Sequence, residues 1–158
     1  IPSTRKTLNC ISKRSTSATS TANMFVHSTL YRVCYADTDQ MQYMYYGNYA
    51  RLYEIGRVEA MRHLGFSYRT FEENGVLMPV MDLQAKYLAP ARYDELLTIR
   101  TTVLDLPAAR IKFKYEVFNA ADLLLNEALT TLVFVNASTN RPMRAPADFV
   151  QALAPFYA

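Results

Sequence analysis

Residues 35–49, YADTDQMQYMYYGNY, gather the side chains of this chain best suited to chemistry. Two carboxylates, Asp37 and Asp39, come first, and a short apolar and aromatic stretch (Met41, Tyr43, Met44, Tyr45, Tyr46) follows. Gly47-Asn48 then opens a run with helical spacing. The first turn of a helix presents backbone N–H groups with no internal acceptor, and the macrodipole adds to their affinity for negative charge. A carboxylate on the loop before such a turn can attack a carbonyl carbon, or activate water to do so, while the amides stabilise the oxyanion. Acyl transfer to water needs those parts and no metal. Loop solvation or helix capping accounts for aspartates in such a place as well, and the pattern alone leaves those roles open.

Other catalytic classes find little support. The two histidines, His27 and His63, have no Ser, Cys or acid at a motif spacing, which argues against Ser-His-Asp or Cys-His chemistry. Cys10 and Cys34 form no CxxC pair or Cys/His cluster and read as reduced thiols, with no zinc site implied. Met41, Met44, Met78 and Met81 read as adaptable packing, although they would also suit a greasy acyl channel. Lys112 with Lys114, and Arg141 with Arg144, are either solvated surface or candidates to meet phosphates.

The elements that must position the 35–49 segment follow from periodicity. Residues 28–35 alternate, with Leu30, Arg32 and Cys34 on one side and Tyr31, Val33 and Tyr35 on the other, which predicts a strand. From about 47 to 64, Ala50, Tyr53, Ala60, Met61 and Leu64 recur at helical spacing, and Gly65 stands where a helix end favours glycine. FSYRTFEENG predicts a short helix or turn ending at Gly75. Strands are expected over 76–88, 94–104, 110–119 and 123–136, with turns at Ala89-Pro90-Ala91, Asp105-Leu106-Pro107 and Asn119-Ala120-Ala121-Asp122. A short C-terminal helix is expected after Pro146. One long helix among successive strands implies an α+β domain, an antiparallel sheet with the helix on one face. Such a sheet leaves an edge for a second chain, so a homodimer or homotetramer is expected.

Composition bounds the rest. At 158 residues the chain has room for one domain, read as 24–158, preceded by an extension over 1–23. That extension is basic, acid-free and rich in Ser and Thr. It is read as disordered, as resembling a targeting peptide, or as sequence upstream of a start at Met24. It holds Arg5, Lys6, Lys13 and Arg14, so the remainder carries thirteen Lys and Arg against fourteen Asp and Glu. A nearly neutral domain argues against a nucleic-acid partner. No apolar run approaches the roughly 18 residues of a membrane span.

Three motifs in order are familiar. Tyr35-Ala36-Asp37-Thr38-Asp39-Gln40-Met41 with Tyr45-Tyr46-Gly47-Asn48-Tyr49 and Glu54, Arg57 and Glu59 is the first. Leu88-Ala89-Pro90-Ala91-Arg92-Tyr93-Asp94-Glu95-Leu96-Leu97 is the second, and Arg141-Pro142-Met143-Arg144-Ala145-Pro146 the third. Together, over about 28–150, they resemble the hotdog thioesterases of the 4-hydroxybenzoyl-CoA thioesterase type, most nearly the bacterial acyl-CoA thioesterases encoded beside the Tol-Pal genes. The resemblance implies a hotdog fold, a long central helix wrapped by a curved five-stranded antiparallel sheet. It implies hydrolysis of an acyl-CoA thioester to a carboxylic acid and coenzyme A, with Asp39 as nucleophile or general base and the Tyr46 backbone amide as oxyanion donor. Asp37 is implied as a supporting residue, and Gly47, Asn48 and Tyr49 as fixing the loop or lining the acyl site. No cofactor or metal is implied, the site is expected at a dimer interface, and a cytoplasmic setting is expected.

Two departures stand out. Relatives carry Gly where this chain has Gln42, which suggests a positive-φ or crowded position where Gln42 would reach toward substrate. Ala128-Leu129 stands where a Gly-containing turn or strand start is common. Rival readings are an acyl-carrier-protein thioesterase and a non-catalytic acyl-CoA-binding hotdog protein.

Overall fold

The computed structural model describes residues 23–158. The expected 1–23 extension, with Cys10, lies outside the described residues at all but its last position. The central element is α1 (Tyr49–His63), entered through a single 3-10 turn at Tyr46–Asn48. Tyr49, Leu52, Tyr53, Gly56, Ala60 and Met61 share its buried stripe, spaced by three and four residues. It ends at Leu64, and Gly65 follows at φ 88, the left-handed cap that glycine takes without a Cβ clash. The helix expected over 47–64 is thus present, its first residues wound more tightly.

Around it runs a five-stranded antiparallel sheet in the order β1-β4-β5-β6-β3, built from β1 (Val26–Arg32), β3 (Val80–Tyr87), β4 (Leu96–Val103), β5 (Arg110–Phe118) and β6 (Leu124–Val133). β5 alternates strictly, with Ile111, Phe113, Tyr115 and Val117 buried under the helix. The helix packs on β1, β4 and β5, while β3 forms the far edge. At Gly56 helix and sheet come close: a Cβ there would lie 2.6 Å from Thr101 Oγ1 and 2.8 Å from Ile99 Cγ2.

Two expected strands are each broken. The 76–88 run splits at Met78-Pro79 into β2 (Val76–Leu77) and β3, because proline has no N–H to continue a ladder. The 123–136 run splits at Phe134 into β6 and β7 (Val135–Asn136). β7 then sits between β2 and β8 (Arg141–Pro142) in a small second sheet. The 94–104 strand begins only at Leu96, since Asp94 takes φ 66. The β5–β6 turn forms without glycine. Asp122 adopts φ 57, and Asn119 Oδ1 accepts from the amides of Ala121 and Leu123 at 3.0 Å each. The short helices α2 (Tyr68–Glu73) and α3 (Ala147–Leu153) complete the chain, α2 capped by Ser67 accepting from the Thr70 amide. Ala128 pairs with Ala85 in the middle of β6 and begins no turn.

Candidate active site

The loop between β1 and α1 is organised from the inside by Asp37. Its side chain is 1% exposed, yet it is fully engaged. Tyr31 Oη donates to it at 2.7 Å, the Cys34 amide at 2.8 Å, and Arg51 of α1 forms an ion pair. Burial, and then the hydrogen bond to Asp37, push the Tyr31 phenol up to about 12. The Asp37 carbonyl meanwhile accepts from the Tyr45 amide at 2.8 Å and from Asn48 Nδ2 at 2.9 Å, closing the loop against the start of the helix. Asp37 is a scaffold for this loop.

Out from that scaffold the chain makes a narrow hairpin. Thr38 bridges Met44, the Asp39 amide donates to the Tyr43 carbonyl at 3.1 Å, and the Gln42 amide donates to the Asp39 carbonyl at 3.0 Å. Gln42 closes the turn at φ 66, in the left-handed region. The positive φ suggested by the glycine of relatives is therefore real. The Asp39 carboxylate uses Oδ1 to accept from the Met41 amide at 2.8 Å. Among the described residues nothing donates to Oδ2, so one oxygen is oriented and the other is free for a substrate or water.

Asp39 lines a cavity of about 390 Å³ together with Met41, Tyr43, Met44, Tyr46, Tyr49 and, from the end of β3 and its turn, Tyr87, Leu88, Ala89 and Pro90. Tyr46 is the first residue of the 3-10 turn, the position whose amide has no acceptor inside a helix. The residue is 63% exposed, and its ring meets Tyr87 edge to face at 6.1 Å between centroids. Tyr87 also meets Tyr49 edge to face at 5.4 Å and donates from its hydroxyl to the Tyr46 carbonyl at 3.2 Å. Tyr49 is buried, which pushes its phenol up to about 12, so it stays neutral at physiological pH.

Of the residues singled out from sequence, Asp39, Tyr46 and Tyr49 come together on this cavity. Gln42, Gly47 and Asn48 lie in the same loop but do not line it; the Gln42 side chain is exposed. Asn48 holds the loop through Asp37, and Gly47 leaves room for the Tyr45 ring, whose Cε1 would lie 2.5 Å from a Cβ. Tyr87 was not singled out from sequence, where its only mark is an aromatic residue just before the Leu88-Ala89-Pro90 motif. Lys112 and Lys114 lie on β5, away from this cavity, and Lys114 pairs with Glu116 at 3.1 Å. The described residues include no cluster of three or more His, Cys, Asp or Glu side chains placed to hold a metal ion.

A long helix in the hollow of a five-stranded antiparallel sheet, with a carboxylate and a helix start on one cavity, defines a hotdog-fold protein of the thioesterase class. The chain belongs to the Thioesterase-like superfamily, whose profile matches residues 33–153. It is 32% identical over 121 residues to the putative acyl-CoA thioesterase YneP of Bacillus subtilis, covering 77% of this chain and 88% of that protein. It is 34% identical over 119 residues to the acyl-CoA thioester hydrolase YbgC of Escherichia coli O157:H7, covering 75% and 89%. Among solved structures it resembles a DHNA-CoA thioesterase from Staphylococcus aureus, with TM-score 0.78 and 32% identity over 82% of this chain and 89% of that one.

Proposed function

We propose that this protein hydrolyses an acyl-CoA thioester to a carboxylic acid and free coenzyme A, as a relative of the thioesterases encoded beside the Tol-Pal genes. The observation that carries the reading is the shared cavity. Asp39, with one oxygen oriented by the Met41 amide and the other open, faces the same space as Tyr46 at the start of α1. In the general-base route, Asp39 takes a proton from water as the water oxygen bonds to the thioester carbon. In the nucleophilic route, the carboxylate itself bonds to that carbon, and water later cleaves the acyl-Asp39 anhydride. In both, the carbonyl oxygen becomes an oxyanion held by the Tyr46 amide, and its collapse breaks the C–S bond and releases the coenzyme A thiolate. Tyr43, Tyr46, Tyr49, Met41 and Met44 give the acyl group an apolar wall.

Two features of the surroundings belong to the same reading. β3 is an edge strand with exposed Val80, Met81, Leu83 and Tyr87, which supports a dimer, or a tetramer built from dimers, with the site beside the shared edge. A cytoplasmic setting belongs to the proposal; Cys34 is exposed, and no helix among the described residues is long and apolar enough to cross a membrane.

The test is thiol release from a panel of acyl-CoA and acyl-carrier-protein thioesters, run beside Asp39→Asn. Turnover of acyl-CoA with a loss of at least about a hundredfold in the variant is expected. Turnover of carrier-protein thioesters alone would move the assignment to that carrier. No release from any thioester would leave only a binding protein, and an unimpaired variant would remove Asp39 from the chemistry.

A further inference from the structure

Tyr87 stands outside the loop that holds the candidate catalytic groups. It is the last residue of β3, paired with Asn126 of β6. The chain just beyond it is pinned to the sheet, because the amides of Leu88 and Ala89 both donate to the Leu125 carbonyl, at 2.8 and 3.0 Å. From this fixed base the side chain crosses to the helix start. Its ring packs edge-on against Tyr46 and Tyr49, and its hydroxyl donates to the Tyr46 carbonyl.

That carbonyl is a consequential place for a hydrogen bond. The Tyr46 amide, the oxyanion donor of the reading above, lies in the peptide unit between Tyr45 and Tyr46. On one side of that unit the Tyr45 amide is anchored to the Asp37 carbonyl at 2.8 Å. On the other side the Tyr46 carbonyl accepts from the Tyr49 amide within the turn and from Tyr87 across the cavity. The peptide that presents the donor is therefore bracketed between the buried Asp37 scaffold and the sheet. Oxyanion stabilisation depends on such donors being held in place before charge develops, since reorganisation during the reaction forfeits much of their effect. Burial and the neighbouring Tyr46 phenol raise the Tyr87 pKa, which keeps its hydroxyl a donor throughout the working range.

We propose that Tyr87 is a positioning residue, whose hydroxyl clamps the Tyr46 carbonyl to the edge of the sheet and so aims the Tyr46 amide at the thioester oxygen. This rests on the thioesterase reading for its catalytic consequence, but the clamp itself does not depend on it.

The experiment compares the intact protein with Tyr87→Phe, which keeps the ring packing and removes only the hydroxyl. Two quantities are read: hydrogen exchange of the amides at residues 45–48, and steady-state kinetics on the best acyl-CoA. Exchange in that segment is expected to speed up severalfold. We expect kcat to fall about five- to tenfold with KM unchanged, well short of the roughly hundredfold or greater loss on removing an oxyanion donor outright. Unchanged exchange would overturn the clamp. Faster exchange with unchanged kcat would overturn the positioning role, and a rise in KM at constant kcat would make Tyr87 a substrate contact instead. If the intact protein hydrolyses no thioester, the functional reading fails, while exchange alone still decides the clamp.

Discussion

The Asp37 carboxylate and the Arg51 guanidinium meet at the root of the loop that carries Asp39, tying that loop to the helix behind it. The pair is lopsided: Asp37 is almost wholly buried, whereas the Arg51 side chain is 52% exposed. A buried carboxylate must be compensated where it sits, and here Arg51 is joined by the Tyr31 hydroxyl and the Cys34 amide. Asp37→Asn keeps the shape but weakens every one of those bonds. We expect a loss of about 1–3 kcal/mol of stability, since buried donors lose an ionised partner. We also expect lower kcat on the acyl-CoA substrate, because the Asp37 carbonyl also anchors Tyr45 and Asn48. Denaturant midpoints and kinetics on one preparation check both, and a variant as stable and active as the parent would show that Asp37 is not the scaffold.

Gln42 offers a gain. A non-glycine residue at φ 66 pays a steric cost of about 1–2 kcal/mol, offset in part by the greater chain entropy that glycine restores to the unfolded state. Gln42→Gly should therefore stabilise the protein by about 0.5–1 kcal/mol, read as a higher melting temperature. Its side chain lies outside the cavity lining, so kcat/KM should stay within about twofold of the parent, well below one tenfold step in rate. A fall in activity with no gain in stability would mean that Gln42 reaches the substrate after all.

At Gly56 α1 lies close against the sheet. A methyl group there would meet Thr101 Oγ1 and Ile99 Cγ2, both on β4 beneath the helix, where neither can move far. Alanine is the better helix former by up to about 1 kcal/mol, yet overpacking should outweigh that, with a net loss of about 1–2 kcal/mol. Urea titration of Gly56→Ala, paired with Gly56→Ala/Thr101→Ala, which removes Oγ1 and restores room, measures it. A second substitution that fails to recover stability would argue against the steric account.

How much of this was legible in the residues differs by element. The 3.6-residue recurrence of Tyr53, Ala60, Met61 and Leu64 predicted α1, because a helix packed on one side must repeat its apolar residues at that period. The strict alternation of β5 is as readable for the matching reason. Pro79 signalled the break between β2 and β3, but its weight against a long apolar run was missed. The order β1-β4-β5-β6-β3 was not legible, since which strand lies beside which depends on contacts far apart in the chain. The same holds for the site. The Asp39–Tyr46 half lies within one short segment and could be read from it. The Tyr87 half arrives from 41 residues away, and no local spacing announces a hydroxyl that meets the Tyr46 carbonyl.

His27 gives a pH dependence. Its ring lies tilted against that of His63 with centroids 4.9 Å apart, and burial followed by the His63 charge lowers its pKa from the ordinary 6.5, with Glu59 opposing. A lowered value means that the unfolded chain binds the proton more tightly than the folded one. His27 therefore costs nothing above about pH 6.5 and increasingly disfavours the fold as pH falls through that value toward its own lowered pKa. Denaturant midpoints at about pH 7.5 and pH 5.5 should show a loss of stability that is smaller in His27→Gln. An equal loss in parent and variant would place the acid sensitivity elsewhere.

The edge strand tests the assembly. Among the described residues β3 pairs with β6 on one side only, leaving its other backbone donors and acceptors open, and Leu83 at its middle is 44% exposed. An open strand carrying exposed Val80, Met81 and Leu83 is a template for another strand, and a second copy of β3 would supply a matching antiparallel partner. Leu83→Glu would bring two like charges close together across such a pairing, so it should shift the protein from dimer or tetramer toward monomer in light scattering. If the site lies beside that shared edge, acyl-CoA turnover should fall with the fraction of assembled protein. A Leu83→Glu protein that stays assembled would put the interface on another face. A parent that is monomeric at micromolar concentration would show that the β3 edge is tolerated open.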